Sequence, residues 1–158
     1  MTIGWRFDNT YAKLPDTFKE NINPIPVKEP NLVILNKKLA KNLDLDFSKT
    51  DKKEISKILS GNILPIGSNG ISQAYAGHQF GHFTMLGDGR AVLMGEHLSK
   101  KNERYDIQFK GSGKTSFSRG GDGRAVLGPM LREYIISEAM HGYHRLTPPQ
   151  DHHPLHSH

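Results

Sequence analysis

The chain has no cysteine among its 158 residues, which excludes disulfides and thiolate metal centres and fits a reducing compartment such as the cytoplasm. It has no apolar run of the about 18 residues that a membrane helix needs. Its first residues, Met1-Thr-Ile-Gly-Trp-Arg-Phe-Asp8, lack the basic-then-apolar order of a secretion signal. Apolar residues are scarce, at 35% with a mean hydropathy of −0.56, so the core is expected to be modest. Aromatic side chains make up only 8% and include one tryptophan. No stretch interleaves aromatics with basic residues as a nucleic-acid stacking platform would, so neither nucleic acid nor a membrane is an expected partner.

What is abundant is positive charge and glycine. The net charge is +5 and the pI about 9.4; many of the lysines fall between Lys37 and Lys57. That pattern describes a solvated lysine surface or, read functionally, a polyanionic ligand. The heptapeptide Gly-Asp-Gly-Arg-Ala-Val-Leu occurs twice, at Gly87–Leu93 and Gly121–Leu127. Between the copies lie Asp106-Ile-Gln-Phe-Lys110 and a glycine-rich stretch to Gly123. Glycine lets backbone amides approach an anion, and arginine and lysine supply the opposite charge.

Residues 1–30 hold Pro15, Pro24, Pro26 and Pro30 and read as an extended arm. Leu32, Ile34, Leu35, Leu39 and Leu43 predict a helix over 31–44, and Ile55, Ile58 and Leu59 a second over 48–60 with Ser48 as its cap. Gly61–Gly70 reads as a loop. Ala91–Glu96 and Tyr105–Phe109 read as strands joined through a polar turn at Ser99–Arg104. Lys110–Gly123 reads as a long glycine loop, and Gly128-Pro129 opens a helix with Met130, Leu131, Tyr134, Ile135 and Ala139 on its inner stripe. His141–His158, with six of the nine histidines, is expected to be a poorly ordered tail.

Each chemical feature has a plain structural reading beside the functional one. Gly113-Lys-Thr115 resembles the end of a phosphate-binding P-loop, but Gln108 stands where the first glycine belongs and glycines follow where a helix should start. Lys110 closes a strand-like run whose alternation puts Asp106, Gln108 and Lys110 on one face. It suits either a solvated edge lysine or the strand lysine that positions phosphates beside a helix glutamate, here Glu133. Asp88 and Asp122 sit in turns, where Asp bonds its own backbone. Arg90 and Arg124 leave those turns and suit a salt bridge or an anion. His78 and His82 have zinc spacing on a helix, but Gly77 and Gly81 argue against one, and a packed loop with hydrogen-bonded histidines is expected. The histidine tail lacks a scaffold for a metal site.

Tyr75-Ala-Gly-His-Gln-Phe-Gly81, Leu86-Gly-Asp-Gly-Arg90, Phe109-Lys-Gly-Ser-Gly113, Phe117-Ser-Arg-Gly-Gly-Asp-Gly-Arg-Ala125, and Leu131-Arg-Glu-Tyr134 with Ser137-Glu-Ala-Met140 together resemble the selenoprotein O family, also called SelO, YdiU or UPF0061. The resemblance covers residues 1–140. It implies an α+β fold, the N-terminal lobe of a protein-kinase-like domain, and ATP-dependent protein adenylylation on protein hydroxyls. It implies ATP contacts at Gly87, Gly89, Arg90, Lys110, Asp122 and Gly123, with Glu133 supporting Lys110. Residues 1–70 are expected as an arm with short helices, 71–140 as the nucleotide-binding lobe and 141–158 as an aberrant tail. The family's catalytic aspartate and its Mg2+ or Mn2+ ligands match nothing in this sequence. The expectation is therefore an inactive nucleotide-binding piece, cut before the C-lobe by a frameshift or early stop after Met140, or else a non-catalytic pseudokinase-like module.

Overall fold

The structure, a computed structural model, describes residues 3–79 and 81–146, with side chains as far as Tyr143. It divides into two compact units between Arg124 and Ala125. No helix among the described residues is long and apolar enough to cross a membrane.

The first unit is mixed α+β, built on an antiparallel five-stranded sheet. Its elements are β1 (Lys19–Asn21), α1 (Lys37–Asn42), α2 (Lys52–Leu59), β2 (Ile71–Gln79), β3 (His82–Gly87), β4 (Ala91–Leu98) and β5 (Arg104–Lys110). The path runs β1-β2-β4-β5, with β3 paired to β2. β2 pairs with β1 through Ile71–Gln73 and with β3 through Ala74–Gln79. The β4–β5 hairpin is the one expected from alternation: Phe109 is buried, Ile107 half-buried, and Asp106, Gln108 and Lys110 exposed. Val92, Met94 and Phe109 form the core cluster, with Ile22 and Ile107 against it. A register shift between Leu93 and Gly95 makes Met94 the extra residue of a bulge.

Several expectations need correction. Residues 71–79 and 82–87 are a strand pair, not a packed loop: Gly77 sits within β2, Gly81 takes a left-handed turn conformation (φ +82°) just before β3, and nothing lies within 4 Å of an added Cβ at either. His78 faces Phe83 across the hairpin and His82 faces Gln79. Directly opposed residues share a face and neighbours alternate, so His78 and His82 lie on opposite faces and make no two-histidine metal site. The His78 ring instead meets the Phe83 ring edge-on at 6.4 Å.

The helix expected over 31–44 shrinks to six residues, capped by Asn36, whose side chain accepts from the Leu39 amide. Ile34 and Leu39 are exposed, while Ala40 and Leu45 are buried. The second helix starts four residues after the expected cap. Asp51, not Ser48, accepts from the Glu54 amide at 2.8 Å, with Ile55 and Ile58 buried as expected.

The arm is also more than extended chain. Phe7 bridges His97, and the amides of Asp8 and Leu98 bond the carbonyls of Glu96 and Arg6, at 2.9 and 2.8 Å. His97 is fully buried, accepting at Nδ1 from the Arg6 amide and donating from Nε2 to the Leu43 carbonyl. Trp5 and Phe7 surround its ring. Glu96 is bonded by the Thr10 hydroxyl, the Tyr11 amide and Arg104.

The second unit contains α3 (Leu127–Leu146), with Pro129 in its first turn. It runs six residues beyond Met140. Met130, Leu131 and Tyr134 are half-buried, whereas Ile135 and Ala139, expected on the inner stripe, are exposed. Residues 147–158 of the expected tail lie outside the described residues.

Candidate functional site

Both Gly-Asp-Gly-Arg turns are anchored to the loop that follows Lys110. The first turn, Gly87–Arg90, links β3 to β4. The Ser72 and Thr115 hydroxyls donate to the Asp88 carbonyl at 2.9 and 2.7 Å, and the Ser118 hydroxyl donates to the Gly89 carbonyl at 2.6 Å. The Gly111 amide donates to the Arg90 carbonyl at 2.6 Å, one step beyond the Ala91–Lys110 pair of the ladder. Gly87 is required by close approach: a Cβ there would stand 2.2 Å from the Phe117 ring, and one on Gly89 would stand 2.6 Å from the Phe117 carbonyl oxygen.

The second turn closes the same loop from its other end. The Gly113 amide donates to the Gly123 carbonyl at 3.1 Å, and Ser112 bridges Arg124. Gly123 has φ +69°, and its Cβ would fall 1.9 Å from the Gly113 carbonyl oxygen, so no other residue fits. Asp122 accepts the Arg124 amide at 2.8 Å. The Gly113-Lys-Thr115 resemblance to a P-loop fails here: no helix starts at Lys114, and the Thr115 hydroxyl is spent on Asp88.

The arrangement leaves backbone donors to spare. Among the described residues, the amides of Gly89, Asp122 and Gly123 donate to no protein acceptor. Arg90 and Lys110 are exposed. Asp88 turns its carboxylate to the Gln73 amide (3.3 Å) and the Gln108 amide group (3.5 Å). Burial pushes its carboxyl up from the usual aspartate value, partly offset by the Gln73 amide. Asp88 therefore serves to hold the turn. Glu133 lies on α3 in the second unit and is exposed. No three histidine, aspartate or glutamate side chains converge among the described residues. With Asp88 and Asp122 engaged by backbone and amide groups, a divalent cation finds no ligand set here.

The residues that carry the turns, Ser72, Thr115, Phe117 and Ser118, are not among the site residues that spacing or resemblance singles out. A hydroxyl-rich Thr115–Ser118 run beside glycines was the available signal, since small polar side chains bond turn carbonyls.

A family model described as protein adenylyltransferase SelO matches residues 2–145. Among similar curated proteins, the protein nucleotidyltransferase YdiU of Pelagibacter ubique is 76% identical over 141 residues, covering 89% of this chain and 29% of that protein. Those of Nitrosococcus oceani and Brevibacillus brevis are 63% and 61% identical, each covering 88% of this chain and 28% of theirs. The chain thus spans less than a third of the length of these relatives.

Proposed function

Because the chain belongs to the SelO protein adenylyltransferase family, we propose that it supplies the nucleotide-phosphate cradle of a cytoplasmic enzyme that moves AMP from ATP to protein hydroxyls. In this reading the β-sheet unit and α3 are parts of the N-terminal lobe of a kinase-like fold. Gly87, Gly89, Arg90, Lys110, Asp122 and Gly123 are the ATP contacts, and Glu133 supports Lys110. A substrate hydroxyl attacks the α-phosphorus, the bond to the bridging oxygen breaks, and pyrophosphate leaves. Lys110 and Arg90 would offset the charge on the phosphates while spare amides take phosphate oxygens.

One observation carries this reading: two identical turns, far apart in sequence, dock on one loop and leave unused amides at Gly89 and at Asp122–Gly123. These are positions that the sequence resemblance assigns to ATP. Among the described residues no ligand set for Mg2+ or Mn2+ is present, so no step is routed through a metal. The sequence matches none of the family's catalytic residues, so in this reading the chain holds nucleotide without itself transferring AMP. That is also the behaviour of a non-catalytic nucleotide-binding module.

Titrating the chain with ATP tests the cradle. Lys110→Ala is expected to weaken binding by about tenfold, the loss of one charge-assisted contact; unchanged affinity sinks the assignment. Incubation with α-labelled ATP, Mg2+ and a protein substrate tests the second point, and transfer of label would overturn it.

A further inference from the structure

A second candidate site shares no residue with the cradle. Residues 32–55 with Lys100 enclose a cleft of about 820 Å³. It is lined from α1, which ends at Asn42, from α2 and from the segment between them. The floor is apolar: Leu35, Ala40, Leu45, Phe47 and Ile55 line it, with Ala40, Leu45 and Ile55 buried. The rim carries four lysines, Lys37, Lys41, Lys52 and Lys100. None has an ion-pair partner among the described residues.

The two carboxylates at the same rim do not answer those lysines. Asp44 accepts the Lys100 amide at 2.7 Å, and Asp46 accepts the Ser48 amide at 2.8 Å. The Ser48 hydroxyl and amide hold Asp46 below the usual aspartate range, so it stays ionised and committed to its own turn. The cleft therefore combines an apolar floor with a rim that is cationic on balance, four lysines against two carboxylates.

We propose that this cleft docks an acidic, amphipathic peptide segment of a partner protein, with apolar side chains on the floor and carboxylates at the lysines. Charge complementarity selects this occupant. A fatty acid brings one carboxylate and would leave three lysines unanswered. A bilayer is flat on this scale and does not follow a concave floor. A nucleic acid would satisfy the lysines but leaves the aliphatic floor without a role.

The test uses the full chain and a short fluorescein-labelled peptide in which leucine and phenylalanine alternate with glutamate pairs, read by fluorescence anisotropy. Saturable binding is expected. It should weaken by at least about tenfold in the Lys37→Glu/Lys41→Glu double variant and on raising the salt, and stay unchanged in Lys110→Ala. Because both lysines are exposed, the variant should keep its fold, which circular dichroism checks. Absence of binding overturns the proposal. So does equal binding of a control peptide with serine replacing the apolar residues, or equal competition by a single-stranded oligonucleotide or by phosphatidylserine vesicles.

Discussion

Replacing Gly87 with alanine probes the contact on which the cradle depends. The added Cβ would lie 2.2–2.4 Å from three atoms of the Phe117 ring. Non-bonded carbons settle at about 3.5–4 Å, so the ring must withdraw by more than about 1 Å. The φ of Gly87 is not in the left-handed region, so the penalty is steric and not conformational. Overpacking of this kind costs about 1–3 kcal/mol. In a domain of this size each kcal/mol lowers Tm by about 2–4 °C. Phe117 carries the loop whose hydroxyls hold the Asp88 and Gly89 carbonyls, so ATP affinity should fall along with stability. The decisive assay is a double-mutant cycle by urea unfolding. Once Phe117→Ala has removed the ring, Gly87→Ala should cost little, giving a coupling of at least about 1 kcal/mol. Additivity within about 0.5 kcal/mol would refute the contact, and with it the docking of the first turn on the loop.

Two further outcomes are expected. Burial alone would raise the Glu96 carboxyl, but bonds from the Thr10 hydroxyl and the Tyr11 and Thr10 amides, with the charge of Arg104, outweigh it and hold it below the usual glutamate value. A group lowered on folding stabilises fully above its unfolded value and loses that contribution as pH falls through the folded one. The stability gap between the wild-type chain and Glu96→Gln, measured by urea unfolding, should therefore narrow between about pH 6 and pH 3; a gap constant across that range contradicts it. Asp51→Ala should cost about 1 kcal/mol by removing the cap of α2, whereas Ser48→Ala should stay within about 0.5 kcal/mol. Equal losses would show that the helix does not begin where Asp51 meets the Glu54 amide.

Period and alternation are local signals, and they succeeded where structure is local. The β4–β5 hairpin, the outward face of Lys110 and the buried Ile55 and Ile58 follow from spacing alone. Local spacing carries no information where strand pairing decides. Gly77 looks like a loop residue until β3 lies beside β2, and open space around it makes it harmless in the ladder, whereas Gly81 is the turn glycine that its type suggests. Leu39 fits a helix stripe, but α1 is too short to use it. The glycine loop was legible as a loop. That its two ends hold the two repeated turns was not, because the Gly113–Gly123 and Ser118–Gly89 bonds depend on how the chain folds back.

The bonds of the N-terminal arm have a consequence for the order of events during synthesis. Arg6 meets His97 and Ser99, and Asp8 meets Arg104, across 91 to 96 residues of chain. At roughly 5–20 residues per second on the ribosome, the arm waits several seconds before these partners exist. Phe7 meanwhile lacks the strand residue it bridges, a natural stretch for a chaperone to hold. The far half of β4 has no use for its outer edge until the arm arrives. A nascent chain shortened at its start would reach completion with that edge still open to a neighbouring chain.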